Sequence, residues 1–427
     1  MKKGLLCALI TLVVCDFVHA QVYKEGRTQH RFAQTYFGIN TQVIPGQGAI
    51  RLGGQVYQFP DMVSPRVTIG GLHFWGKVDF NFNLPLARFY DRPLNADTDL
   101  FFSPGGDLSV RYYPWRLSYL KPRPYGGISV NTMLFGLESE MRGDRYDGFV
   151  TTSLLGGVAF AFKDWQVNAE WMWRADRQRT FFSDRATQEV LQLPRHYFSF
   201  GLVRYVDFTL QNEANKISGR TEKLHQALKK DRKVNSISVG LAPSSAFFLK
   251  SPLYGSGDRR SLPDHRGEVM WEFGLGYLLH NEGVHLGFSY RDYTSSVESY
   301  GLEHLFRRRS VALEALFFLL DYNGFVPFVG PSVSYERWGV AEFEGNRQVG
   351  NTRRTGKVSP GLVFGWDIVP SPIDTWVLRT NLRYYPLQRI EDVEGKKSRV
   401  DQFEFNFIQF VLYPNRVFHV ARAKKKF

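Results

Sequence analysis

Segments of about ten residues in which apolar and polar side chains alternate strictly recur through this 427-residue chain, and they restrict its fold more than any other feature. In Val78-Asp79-Phe80-Asn81-Phe82-Asn83-Leu84 every second residue is apolar. Trp165-Gln166-Val167-Asn168-Ala169-Glu170-Trp171, Val284 to Arg291 and Trp376 to Tyr384 repeat the pattern, and Phe403, Phe405 and Phe407 alternate with Glu404 and Asn406. Successive side chains of a strand point to opposite faces, so each segment offers one greasy face and one wet face.

Length decides between a soluble sandwich and a membrane wall. Sandwich strands run about five or six residues, whereas a tilted strand crossing a bilayer needs about ten. The polar face favours Gly, Ser, Asn and single charges, which suits a crowded lumen. Aromatics gather at segment ends, as in Trp171-Met172-Trp173, Tyr112-Tyr113-Pro114-Trp115 and Tyr384-Tyr385-Pro386, where they would form interfacial girdles. After residue 20 no uncharged apolar run approaches the roughly 20 residues of a spanning helix; the nearest, Ala312 to Leu320, carries Glu314.

Strands are expected near 402–413, 375–386, 357–369, 325–338, 306–320, 284–294, 268–279, 234–249, 196–206, 165–174, 151–162, 125–136, 107–114 and 74–84, with two more near 50–59 and 66–72. Links at Pro370 to Asp374, Asp321 to Gly324, His280 to Gly283 and Lys163-Asp164 are tight; those between are long and polar. One link breaks the alternation: Asp207 to Lys233 is long and helical around Arg220 to Asp231, so either a periplasmic helix is inserted there or the strand register fails. Thr35 to Val43 alternates too, as a further strand or a segment folded into the lumen. Pro327, Pro331 and Pro360 fall within strands and predict bulges or strand ends.

This pattern resembles bacterial outer-membrane β-barrel proteins over essentially the whole mature chain. The resemblance implies an all-β fold: a transmembrane antiparallel up-and-down barrel of about 14–16 strands, with short periplasmic turns and longer extracellular loops. Residues 1–20 read as a signal peptide (Lys2 and Lys3, apolar Gly4 to Cys15, then Val18-His19-Ala20), cleaved before Gln21. Acylation at Cys15 is the rival, but Val14 is a poor residue to precede it. Both cysteines lie in this peptide, which leaves no disulfide or cysteine site in the mature chain. Residues 21–49 form an N-terminal segment, 50–413 the barrel with a helical insertion at 208–233, and 414–427 a basic tail. Localisation in the bacterial outer membrane follows.

The net charge of +13 is dispersed in short runs such as Lys229-Lys230, Arg307-Arg308-Arg309 and Arg353-Arg354, without a nucleic-acid motif. They read first as solvated loop charges, and next as contacts for lipopolysaccharide phosphates or small anionic solutes. Outer-membrane lipids are the expected partners; no protein partner and no cofactor or metal is indicated.

The lumen-facing side chains are the candidate binding site. Arg379 and Arg383 share the polar face of one strand, Glu404 and Asn406 that of the next. Glu272 faces in beside the strand carrying His285 and Arg291, and Glu170 and Arg174 face in elsewhere. Such mixed charges either select solutes or brace the wall. His285 and Ser289 share a face but are about 13 Å apart along the strand, too far for a nucleophile and its base. No catalytic motif appears, so an enzyme is not expected. A passive channel for small polar or anionic solutes leads, a non-enzymatic envelope scaffold or barrel subunit of a surface complex is the alternative, and a lipid hydrolase comes third.

Overall fold

The computed structural model describes residues 32–86, 90–95, 98–139, 144–207, 219–231, 234–250, 261–263, 265, 267–322, 324–369, 375–391, 395 and 397–424. The expected signal peptide, the start of the 21–49 segment, residues 208–218 and the last three residues of the tail lie outside them.

Among the described residues sixteen long strands form the walls. The first eight are β1 (Gln34–Ile44), β2 (Met62–His73), β3 (Val78–Pro85), β4 (Thr98–Tyr112), β5 (Pro122–Ser139), β6 (Arg145–Phe162), β7 (Trp165–Arg174) and β8 (His196–Asp207). Each pairs antiparallel with its successor, and β1 pairs with β8, so these eight close on themselves. The second eight are β9 (Ser236–Lys250), β10 (Gly267–Leu279), β11 (Val284–Ser299), β12 (Leu302–Phe318), β13 (Phe325–Glu344), β14 (Arg347–Ile368), β15 (Trp376–Glu391) and β16 (Lys397–Leu412). They close through the β9–β16 pairing.

The all-β, antiparallel, up-and-down barrel architecture is therefore as the sequence indicates, with sixteen staves. They are divided, however, between two circuits of eight in place of one wide cylinder. The link that broke the short–long alternation is the seam. After β8 closes on β1, the chain enters helix α1 (Gly219–Lys230) and only then starts β9. Helix α2 (Pro414–Lys424) occupies the expected tail, and Leu224, Leu228, Val234 and Val420 pack the two helices together at the turn end of the second barrel.

One open alternative is decided and two local expectations change. Thr35 to Val43 belongs to stave β1, whereas 50–59 forms a loop hairpin, Ala49–Leu52 with Gln55–Gln58, that pairs with Gln188–Gln192. The hairpin alternates like a stave but is too short to cross a bilayer. At Pro331 and Pro360 the ladder continues without a register shift; around Pro331 the pairing simply lapses between Glu314–Ser332 and Phe317–Val329. Both prolines point outward.

Outward residues such as Ile39, Phe200, Trp271, Leu313 and Val358 are exposed all round, while their inward neighbours are buried. That inside-out distribution fits a wall facing lipid. The barrels stand side by side with their turns at the same end. At that end, Phe74 and Trp75 occupy the central positions of a tight turn, with φ of 55° and 54° and a Gly76 N–H to His73 carbonyl bond of 3.1 Å. Large side chains there cost about 1–3 kcal/mol each. Phe32 offsets the strain by bridging the turn to the other barrel, with ring centroids 4.9 Å from Trp75 and 6.2 Å from Phe325. At the loop end, Tyr300 N–H donates to the Asp144 carbonyl (3.0 Å) and Arg145 to the Ser261 carbonyl (2.6 Å).

Two circuits predict a definite outcome for the severed chain. With a protease site placed at residue 212, cleavage of the folded protein in detergent should give two fragments, each retaining heat-modifiable migration on gels. A single sixteen-stave cylinder would instead lose that behaviour in both.

Candidate functional site in the two lumens

Eight-stave closure leaves an interior just wide enough for side chains, and period-two alternation sends every second residue into it. In the second barrel these residues form stacked layers of ion pairs. Nearest the turns, Arg379 binds Asp367 through two bonds of 2.7 and 2.9 Å. His285 Nε2 lies 2.8 Å from Ser238 Oγ beside it. Above, Arg383 donates to both Glu272 oxygens at 2.7 Å and to Glu314 at 2.5 and 3.1 Å. The next layer joins Arg291 and Arg308 to Glu404; Arg308 also donates to Glu336 at 2.7 and 3.1 Å, and Arg291 to Tyr385 Oη at 3.0 Å. The Arg308 guanidinium lies 5.2 Å from the Trp338 ring centre, within the apolar cap of Tyr293, Phe306, Trp338 and Val340.

Above that cap, the segment before β10 folds into the mouth. His265 sits between Ser295 Oγ (2.7 Å from Nδ1) and His304 (Nε2 to Nδ1, 2.9 Å), and all three are buried. Burial holds the His265 imidazole down at about 4.

The first barrel is filled in the same manner. Arg111 lies between Glu170 (2.7 Å) and Asp79 (3.3 Å), and Asp79 accepts from Tyr36 Oη at 2.5 Å. Arg66 joins Asp107 and Gln42, and Asn83 donates to Asp107 at 2.7 Å. Arg174 stacks on Tyr197, 4.6 Å from the ring centre. A cavity of 20 Å³ lies among Ser238, Glu272, His285, Glu314 and Arg383, room for about one water.

All nine residues singled out in the sequence face a lumen and are buried. Seven of them, Arg379, Arg383, Glu404, Asn406, Glu272, His285 and Arg291, share the second lumen, while Glu170 and Arg174 lie in the first. Arg379 pairs with Asp367 directly opposite on the neighbouring strand, but other partners lie across the lumen. Arg383 stands directly opposite Glu404 in the β15–β16 register, yet pairs across the lumen with Glu272 and Glu314, leaving Glu404 to Arg291 and Arg308. Asn406 makes no side-chain hydrogen bond among the described residues. Missed altogether were Arg111, Arg308, Glu336 and Asp367. Arg308 was hidden in a run read as loop charges, although its parity separates it from Arg307 and Arg309, which point outward.

Closed antiparallel walls, an apolar exterior and polar, ion-paired interiors define a β-barrel of the bacterial outer-membrane kind. No protein-family description and no curated protein matches the sequence. Among solved structures, Neisserial surface protein A is 15% identical, with 42% of this chain and 97% of that one covered at a TM-score of 0.29. The attachment invasion locus protein Ail of Yersinia pestis is 16% identical, with 42% and 96% covered at 0.27. An outer membrane channel from Pseudomonas putida F1 is 7% identical, with 89% and 95% covered at 0.20.

Two outcomes follow from this packing. Arg383→Met strands two buried carboxylates and should cost about 3–5 kcal/mol, read as a lowered urea midpoint in detergent; adding Glu272→Gln and Glu314→Gln should restore part of the loss. The His265 segment should also loosen in acid. Its imidazole is neutral in the mouth down to about 4 but binds a proton near 6.5 once released, so the docked state is fully stable above 6.5 and weakens as pH falls towards 4. Hydrogen exchange at 261–265 should rise over that window, and His265→Gln should flatten the rise.

Proposed function

We propose that this chain is a non-conducting envelope scaffold: a twin barrel, exported by its N-terminal segment, that anchors in the outer membrane and presents its loop-end strands to the exterior. The observation that carries this reading is the sealing of both lumens. Arg291, Arg308, Glu336 and Glu404 each have 0% of their side-chain area accessible. A water-wide path through that layer would have to expose some of it. Arg111 and Asp79, at 1% and 0%, argue likewise for the first barrel. Solute passage, the other reading of an outer-membrane barrel, would require these layers to part, against the several-kcal/mol penalty of separating buried charges.

The strand lengths support the presenting role. β13 and β14 run 20 and 22 residues, about twice what a bilayer crossing needs, so their hairpin stands well clear of the lipid. The serine–histidine pairs, Ser238 with His285 and Ser295 with His265, are buried within the second barrel. Lacking an approach for a lipid ester, they fit structural bonds better than hydrolysis.

Reconstitution into planar lipid bilayers tests the proposal. The protein should add no stepwise current, whereas the Arg308→Ala/Glu404→Ala variant, which removes the occluding layer, should leak. Discrete conductance steps from the unaltered protein would overturn the scaffold reading.

A further inference from the structure

Outward-facing cations are scarce on the described parts of the staves, with one exception. Among the described outward positions of β1, β2, β7 and β8, Arg204 at the turn end is the sole cation, and those of β9 and β10 hold none. On β11 to β14 three successive cross-strand rows of outward residues hold the exception. The first, Tyr290–Val311–Tyr335–Val358, is the upper edge of the apolar belt. The next is Asp292–Arg309–Arg337–Gly356, and above it lies Thr294–Arg307–Gly339–Arg354. Four arginines thus stand over one carboxylate, immediately beyond the lipid-facing ring of Tyr290 and Tyr335.

Arg309 and Arg337 face each other directly, an arrangement that destabilises a sheet unless an anion sits nearby. Asp292 serves Arg307 (2.8 Å) and Arg309 (3.1 Å). Among the described residues no carboxylate pairs with Arg337 or Arg354, and both are exposed. Gly339 lies at the centre, with Arg307 and Arg354 on either side and Arg337 two residues below. A Cβ built on it would meet nothing closer than a backbone oxygen at 4.0 Å. With neighbouring strands about 4.8 Å apart, the result is a shallow hollow floored by glycine and walled by guanidinium groups, which bind phosphate bidentately.

We propose that this hollow binds the phosphorylated sugar headgroup of an outer-leaflet glycolipid, its acyl chains lying along the exposed Leu313, Val333, Tyr335 and Val358 below. The proposal rests on the membrane reading of the barrel. A lipid is favoured over a dissolved anion because the cations continue directly into this apolar strip, so that one molecule satisfies both surfaces.

Native mass spectrometry of the full-length, delipidated protein in detergent tests this, with bisphosphorylated lipid A, monophosphorylated lipid A, phosphatidylglycerol and inorganic phosphate as probes. Bisphosphorylated lipid A should bind best. Arg337→Gln/Arg354→Gln should weaken it on the order of tenfold or more, and so should Gly339→Leu, which keeps every charge but fills the hollow; Arg204→Gln should change nothing. Heat-modifiable migration checks that each variant is folded. Unchanged lipid A binding by both hollow variants, equal binding of phosphatidylglycerol, or competition by inorganic phosphate at equal concentration would each overturn the assignment. Failure of the parent protein to enter liposomes would refute the membrane reading itself, and the site with it.

Discussion

Everything in this architecture depends on the closure of hydrogen-bonded circuits. Within lipid an unpaired backbone amide or carbonyl costs several kcal/mol, so a wall of strands must end on its own beginning. The chain meets that demand twice, once where β8 returns to β1 and again where β16 returns to β9. Closing at eight staves has an immediate consequence. The interior is too narrow for a water column and too polar to be left unsatisfied, so its side chains must neutralise one another across the lumen.

The ion-pair layers answer that demand. Arg383 between Glu272 and Glu314, Glu404 between Arg291 and Arg308, and Arg111 between Asp79 and Glu170 are each a charge held by two opposite ones. Every such layer ties together staves that are not neighbours in the sheet, which stiffens the cylinder against shear. The packing that stabilises the barrel is also what the proposed non-conducting role rests on, so structure and proposed role share one cause. The outer surface follows the converse rule: charge is kept off the lipid-facing positions, and appears in quantity only where the arginines of β12, β13 and β14 rise past the tyrosine ring.

Much of the wall was legible beforehand. Alternation located the stretches that become β2 to β16, and aromatic residues mark the ends of several. The misplacement of 50–59 as a wall strand has a plain origin. Thr35 to Val43 and 50–59 alternate about equally well, yet one is a stave and the other a loop hairpin. Alternation reports a half-buried strand without saying which surface buries it. The long link from Asp207 to Lys233 was a visible anomaly and marked the boundary between circuits. Its meaning depended on whether β8 pairs with β9 or with β1, and no local pattern carries that information.

The sequence by itself determined which way each side chain faces, because period-two geometry is a property of the backbone of each strand. It settled that Arg379, Arg383, Glu404 and Glu272 lie inside and that Phe200, Trp271 and Leu313 lie outside. Only the tertiary structure decided how many staves share a circuit, and therefore that Arg383 meets Glu272 instead of Glu404. Closure and stagger are relations among strands far apart in the chain, set by the curvature of the whole sheet, and the partners across a lumen come into being only when that sheet closes.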